Sequence, residues 1–120
     1  MKIIKSFVFA FNGVKNCFTS ETNFKIHTMA AVITIALGIA VHISNTEWLI
    51  VIGCIAFVIT MEMLNTAIEK LCDVVQEGFH PGIKKVKDIA AAAVLVSAAC
   101  SAIIGVIIFL PKIIYGIKSL

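Results

Sequence analysis

The alternation of apolar and polar positions at the N-terminus indicates a helix. From about residue 2 to residue 19, apolar side chains recur at steps of three and four, and polar side chains occupy mostly the other side. An amphipathic helix with lysines on its polar face is typical of the membrane interface. A soluble amphipathic helix packed on a core is the alternative, but the rest of the chain offers no soluble core. We therefore predict a surface helix over 2–19.

Three apolar runs follow, and each predicts a membrane-spanning helix. The spans cover about residues 26–43, 48–73 and 88–110, and the stretch Ile89–Leu110 contains no charged residue. An untilted helix needs about 20 residues to cross the hydrocarbon core, and the first run is the shortest of the three. The predicted fold is an all-α integral membrane protein, with one surface helix and three transmembrane helices in a single domain over residues 1–120.

Two polar segments separate the spans. Ser44–Glu47 is predicted to form a tight turn. Gln76–Lys87 is predicted to form a longer loop, because Gly78, Pro81 and Gly82 break helices.

Lysine placement predicts the orientation. Eight of the ten lysines lie in the N-terminal region or around the second loop, and none lies in the first loop. The positive-inside rule then places the N-terminus and the second loop in the cytoplasm and the C-terminus outside. Lys112 and Lys118 disagree with this orientation.

Composition supports lipid as the solvent. Hydrophobic residues make up 60% of the 120 residues and charged residues 14%, against about 45–50% and about 25% in soluble domains. A net charge of +3 gives no case for nucleic acid. Four cysteines without a CxxC pair suggest neither a disulfide framework nor a zinc site. A chain this short cannot enclose a large aqueous site alone, so we expect an oligomer.

A stripe of small residues runs along the third span. Ala93, Ser97, Ser101 and Gly105 recur at intervals of four, a spacing that lets helix backbones approach closely in lipid. The stripe fits a contact between subunits and packing within one chain equally well.

The chemistry is concentrated in the second span. Glu62, Asn65, Glu69 and Asp73 are spaced by three, four and four, and they fall within about 80° on one helix face. A charge at the bilayer centre costs about 2.5–3.5 kcal/mol, so three acids on one stripe indicate a function. Carboxylate and amide oxygens suit Mg²⁺, and a carboxylate can accept a proton from a lipid hydroxyl. The alternative is that the stripe only solvates the end of the helix.

Two further places offer complementary groups near the same membrane face. Lys87 and Asp88 stand at the start of the third span, and Glu21 stands between the surface helix and the first span. A lysine can bind phosphate, whereas by spacing alone Asp88 is better explained by the helix dipole, which favours an acid near a helix start. No glycine-rich phosphate loop is present. The residues alone therefore predict a divalent-ion site at the cytoplasmic interface of a membrane oligomer.

The motif Glu62-Met-Leu-Asn65-Thr66-Ala-Ile-Glu69, followed by Asp73, resembles the signature of the prokaryotic diacylglycerol kinase family. Supporting segments are Lys87-Asp88, the stretch Glu21–His27, Glu47-Trp48 and His80-Pro81, and the last three resemble the undecaprenol kinase branch. The resemblance covers nearly the whole chain. It implies a homotrimer in the bacterial cytoplasmic membrane, with composite active sites between subunits on the cytoplasmic side.

The resemblance also implies roles for individual residues. Glu62 is expected to be the general base, and Glu21 and Glu69 are expected to hold the magnesium ion of ATP. The remaining residues are expected to bind nucleotide (Glu21, Glu69, Asp73, Lys87, Asp88) or to position substrate (Asn65, Glu62, Lys2). Catalysis would then consist mostly of positioning and charge neutralisation.

The functional hypothesis is ATP-dependent phosphorylation of a membrane lipid alcohol. Undecaprenol is the first choice because of the Asn23–His27 and His80-Pro81 patterns, and diacylglycerol is the second. A small ion- or proton-coupled transporter is a third possibility, since acids within spans also mark ion pathways, although no internal repeat is visible. A structural assembly subunit would leave Glu62, Glu69 and Asp73 unexplained.

Overall fold

A computed structural model describes all 120 residues as four α-helices joined by short connections. The helices are α1 (Lys2–Ser20), α2 (Thr22–Ala40), α3 (Asn45–Val75) and α4 (Pro81–Lys118), and there are no strands. The helices α2, α3 and α4 are long and apolar enough to cross a membrane. The prediction of an all-α chain with three candidate spans is therefore confirmed.

A single residue separates α1 from α2. Glu21 has an extended backbone and serves both as the C-cap of α1 and as the N-cap of α2. The rings of Phe18 and Phe24 meet edge to face across this break, with centroids 4.8 Å apart, an arrangement that aromatic pairs favour. The aromatic pair therefore holds the two helices at a defined angle and fixes the position of Glu21.

The connection between α2 and α3 is tightly packed. Ser44 and Glu47 form a capping box, in which the Ser44 hydroxyl accepts from the Glu47 N–H and the Glu47 carboxylate accepts from the Ser44 N–H. His42 takes a positive φ of 55° in the turn. Gly38 lies against the Trp48 ring so closely that a Cβ there would lie 2.8 Å from a ring carbon. These contacts end α2 at Ala40, three residues before the predicted end of the first span.

The loop before α4 is shorter than the sequence suggested. Only residues 76–80 are non-helical, because α4 begins at Pro81. Proline is tolerated at the first helical position, where its missing N–H has no helical partner to lose. The His80 imidazole Nδ1 accepts from the backbone N–H of Gly82, at 3.0 Å, and caps the helix. The prediction that Pro81 and Gly82 belong to a loop is therefore wrong.

The last helix also continues through Pro111, which directly follows the predicted end of the third span. It ends at Lys118, so it extends beyond the predicted end of the third span at residue 110. Lys112 lies on this extension and forms an ion pair with Glu47 at 3.1 Å. The Lys112 side chain is therefore paired with an acid at the end of the bundle that carries the α2–α3 turn.

The helices α3 and α4 pack along each other and form most of the interior. Ile43, Val51, Ile108 and Phe109 form a buried cluster near the α2–α3 turn. Ser97 of the small-residue stripe is buried inside the chain, whereas Gly105 has open space beside it. Only 15 of the 120 residues are buried, so one chain leaves most of its apolar side chains to be covered by lipid or by other protein.

Candidate active site

The polar stripe on α3 runs from the interior to the surface. Glu62 is the most buried large side chain of the protein, with 2% of its surface exposed, and Asn65 is 6% exposed. Glu69 is half-buried one turn further on, and Asp73 is exposed at the end of the helix. The four predicted residues therefore become steadily more exposed from Glu62 to Asp73.

Two polar atoms beside Glu62 lack hydrogen-bond partners. The Asn65 amide nitrogen donates to Glu69 Oε1 at 3.3 Å, but Asn65 Oδ1 and the Thr66 hydroxyl are buried without any partner. Most buried polar groups in proteins are hydrogen-bonded. The Glu62 carboxylate also forms no hydrogen bond within the chain. These buried polar atoms are thus available for hydrogen bonds to a ligand.

Glu21 joins the stripe from the break between α1 and α2. The charges of Glu21 and Glu69 both lie close enough to act on that of Glu62, and Glu21 makes no side-chain capping bond to α2. Its carboxylate is consequently free to bind a ligand. That Glu21 and the acids of α3 act together in one site stays a prediction.

These residues suit a hard cation only in part. No group of three or more His, Cys, Asp or Glu side chains is gathered closely enough to hold a metal ion alone. Carboxylates of Glu21 and Glu69, with the unpartnered Asn65 Oδ1 nearby, are nevertheless the oxygen donors that Mg²⁺ prefers. Magnesium commonly uses one or two carboxylates and completes its shell with water and phosphate oxygens. The donor set therefore fits Mg²⁺ that arrives with a phosphate ligand.

Two ion pairs occupy the start of α4. Lys87 Nζ lies 2.6 Å from Asp73 Oδ1 and links α4 to α3, whereas Lys84 Nζ lies 2.7 Å from Asp88 Oδ2 within α4. The predicted nucleotide-binding residues Asp73 and Lys87 are thus brought together. Asp88 pairs with an exposed lysine instead, and no contact within the chain joins it to Glu62.

Lys2 lies far from the acids. It begins α1, and Ser20 ends that helix, which places Lys2 about 27 Å from Ser20 at 1.5 Å per residue. The chain gives its ammonium group no partner. Its role in positioning substrate stays a prediction.

Several residues near the site were missed by sequence reasoning. The Lys70 ammonium group donates to the Ser20 hydroxyl at 3.3 Å, next to Glu21. Burial raises the pKa of the Cys17 thiol, with a smaller contribution from Glu21. His27 Nε2 lies 3.8 Å from Glu62 Oε2. Of these, only His27 stood in a motif that the sequence singled out, and nothing there indicated that it faces Glu62.

The fold and these side chains define an all-helical membrane protein with a carboxylate-rich site at one end of its bundle. The model of the family described as prokaryotic diacylglycerol kinase matches residues 8–109. The chain therefore belongs to the prokaryotic diacylglycerol kinase family. This finding confirms the predicted class, a lipid kinase, which by its nature uses ATP and a lipid substrate.

Individual relatives support the same class. The chain is 42% identical to the undecaprenol kinase of Bacillus subtilis over 93% of its own length and 91% of that protein. It is 33% identical to a diacylglycerol kinase of Synechocystis over 93% of this chain and 65% of that protein. It is 31% identical to a diacylglycerol kinase of Helicobacter pylori, over 79% and 74% of the two chains.

Proposed function

We propose that the chain phosphorylates undecaprenol in the cytoplasmic membrane of a bacterium, with MgATP as the phosphoryl donor. The observation that carries the proposal is the Glu62 carboxylate, which is almost fully buried in a helix that can span a membrane and has no hydrogen-bond partner in the chain. A carboxylate in this setting suits the deprotonation of an alcohol that stays in the lipid phase. The 42% identity to an undecaprenol kinase supports the choice of alcohol.

Glu62 acts as the general base in this proposal. Its carboxylate takes the proton of the lipid hydroxyl while the hydroxyl oxygen is directed at the γ-phosphorus. Asn65 orients Glu69 through its amide hydrogen bond and offers its unpartnered Oδ1 to the reacting groups. Correct alignment of the attacking oxygen supplies much of the rate of such a transfer.

Glu21 and Glu69 would hold Mg²⁺, and the ion would neutralise charge on the phosphates. Asp73 and Lys87 lie at the water-exposed end of the stripe, where the nucleotide arrives from the cytosol. Lys87 is paired with Asp73, so Asp73 holds the ammonium group ready for the phosphates. The surface helix α1 and the apolar faces of α2 to α4 keep the site at the inner leaflet boundary.

The active unit is a homotrimer in this proposal. Two residues assigned to the site, Lys2 and Asp88, do not reach Glu62 within one chain, and a neighbouring subunit would supply them. The extensive exposed apolar surface of a single chain is consistent with such an assembly. Light scattering of the detergent-solubilised protein should therefore give three chains per particle, and a monomeric active enzyme would refute the composite site.

Diacylglycerol is the second candidate substrate, because two of the three relatives described above are diacylglycerol kinases. The deciding experiment presents purified protein with undecaprenol or diacylglycerol in mixed micelles and measures phosphate transfer from ATP. We expect faster turnover with undecaprenol. Much faster turnover of diacylglycerol would reverse the ranking, and transfer to neither lipid would overturn the proposal.

A further inference from the structure

The imidazole of His27 faces the buried carboxylate of Glu62 across a short gap. His27 lies in the second turn of α2, and its Nε2 is 3.8 Å from Glu62 Oε2. The two side chains differ in burial, because 23% of the His27 side chain is exposed and only 2% of the Glu62 side chain. His27 is therefore the more exposed member of the pair.

Neither side chain has a hydrogen-bond partner. A distance of 3.8 Å is too long for a direct hydrogen bond, and no other group of the chain bonds to the His27 ring or to the Glu62 carboxylate. An oxygen atom about 2.8 Å from both groups would form hydrogen bonds of ordinary length to each. The two groups are therefore close enough for one hydroxyl oxygen, placed to the side of the line that joins them, to bond to both.

His27 also borders apolar space. It is one of the residues that line a cavity of about 340 Å³ between α2, α3 and α4, most of whose other lining residues are hydrophobic. The cavity includes Val58, one turn before Glu62 on α3. The His27 imidazole thus lies beside the buried acid and also beside a space suited to a hydrocarbon chain. A lipid alcohol needs both at its reactive end, an acid for the hydroxyl and apolar space for the chain.

We propose that His27 is a substrate-contacting residue, which holds the acceptor hydroxyl of the lipid against Glu62. This inference rests on the proposed function. The imidazole N–H donates to the hydroxyl oxygen, and the hydroxyl donates to the Glu62 carboxylate. During transfer the O–H bond breaks and its proton goes to Glu62, while the oxygen forms a bond to the γ-phosphorus. The bond from the γ-phosphorus to the bridging oxygen breaks, and its electrons leave on ADP. His27 neither gains nor loses a proton.

The competing explanation is that His27 only balances the charge of a buried acid. The variants His27→Ala and His27→Gln separate the two, because glutamine keeps an N–H donor but cannot carry a positive charge. Thr28→Val is the matched control: Thr28 is the next residue on α2, and its hydroxyl bonds only to the Phe24 carbonyl. For each protein we would measure kcat and KM for the lipid and for ATP.

We expect His27→Ala to lower kcat/KM for the lipid about 10- to 100-fold, as loss of a hydrogen bond to a reacting group does. The KM for ATP should stay unchanged, and His27→Gln should recover most of the loss. Equal losses in both His27 variants would favour charge balance and overturn the proposal. Activity of His27→Ala equal to that of Thr28→Val would overturn it as well.

The failure of this inference is distinguishable from that of the proposed function. If the unaltered protein transfers phosphate to neither undecaprenol nor diacylglycerol, the proposed function itself fails. If the unaltered protein is active and only the His27 variants behave otherwise than expected, this inference alone fails. Thermal unfolding of each variant in detergent shows whether it is folded, and a folded His27→Gln is sufficient for the comparison with the unaltered protein.

Discussion

The two ends of the helical bundle differ in whether their polar groups have hydrogen-bond partners. At the turn end (Ser44, Glu47 and Lys112), the Glu47 carboxylate bonds to the Ser44 N–H and pairs with Lys112. At the acidic end (Glu21, Glu62, Asn65, Glu69 and Asp73), the buried Glu62 carboxylate forms no hydrogen bond within the chain, and Asn65 Oδ1 is buried without a partner. Both ends carry acids, so composition alone does not distinguish them.

The difference teaches where to look for chemistry in a small membrane protein. A buried polar group without a partner costs free energy, about 1–3 kcal/mol for a neutral group. The turn end avoids this cost by satisfying its acid locally, and its polar residues thus serve the fold. At the acidic end the free-energy cost of unpartnered polar groups remains, and a bound ligand that provides the missing partners would remove it. The variants below test this division, from the largest expected effect to the smallest.

Apart from loss of the general base Glu62, the largest effect is expected from Glu69→Gln at the acidic end. Glutamine keeps the size of the side chain and removes the charge that would hold Mg²⁺, so lipid phosphorylation should fall by at least 10²–10³-fold, the scale on which single electrostatic groups act in active sites. The matched control is Glu77→Gln, an exposed acid in the loop before α4, which should keep full activity. Full activity in Glu69→Gln would refute the metal role.

At the turn end, Gly38→Ala should affect stability and leave chemistry alone. A Cβ at this position would lie 2.8 Å from the Trp48 ring, and overpacking of this kind costs about 1–3 kcal/mol. Gly53→Ala provides the control, since no atom lies within 4 Å of the position that a Cβ would take there and alanine favours the helix. Thermal unfolding in detergent should rank Gly38→Ala below the unaltered protein and Gly53→Ala at or above it. Loss of activity in folded Gly38→Ala would contradict the claim that the turn end serves only the fold.

Asp73→Asn should raise the KM for ATP about tenfold. The substitution removes the charge that holds Lys87 at 2.6 Å, and a loss of about 1.4 kcal/mol corresponds to a factor of ten. Lys84→Met breaks the neighbouring pair with Asp88 and should change the KM far less, because Lys84 has no assigned contact with the nucleotide. Steady-state kinetics with varied ATP measure both. Equal changes in the two variants would indicate a general charge effect.

The smallest effect is expected from Ser97→Ala on α4. Ser97 is buried, but its hydroxyl donates to the Val94 carbonyl of its own helix at 2.8 Å. The variant therefore leaves no group of another helix unpaired, and stability should change by less than about 1 kcal/mol with activity retained. Chemical or thermal unfolding measures the change. A large loss would mean that Ser97 contacts a neighbouring subunit.

The sequence predicted the elements of the fold better than their ends. Periodicity and apolar length placed four helices, since these signals depend on many residues at once. The beginning of α4 was missed because Pro81 and Gly82 break helices in general but fit the first turn of one. The third span was predicted to end at residue 110, whereas α4 continues past Pro111 to Lys118. Whether a proline ends a helix depends on its position and surroundings, which the sequence alone does not specify.

The candidate site was predicted as a set of residues, but not as an arrangement. Spacing on α3 placed Glu62, Asn65 and Glu69 on one face, whereas the decrease in burial towards Asp73 depends on how α1 and α4 pack against it. The His80-Pro81 motif, used in favour of undecaprenol, has a structural purpose here as a helix cap. The approach of His27 to Glu62 joins two helices and could not be inferred from spacing within either one.

The most direct test of the central claim, that the buried acid on α3 activates a lipid alcohol, is the Glu62→Gln variant. Phosphate transfer from ATP to undecaprenol in mixed micelles would be measured for this variant and for the unaltered protein. We expect transfer with the unaltered protein and none with Glu62→Gln, although the variant should unfold at a similar temperature and assemble to the same size. Undiminished transfer by Glu62→Gln would contradict the central claim.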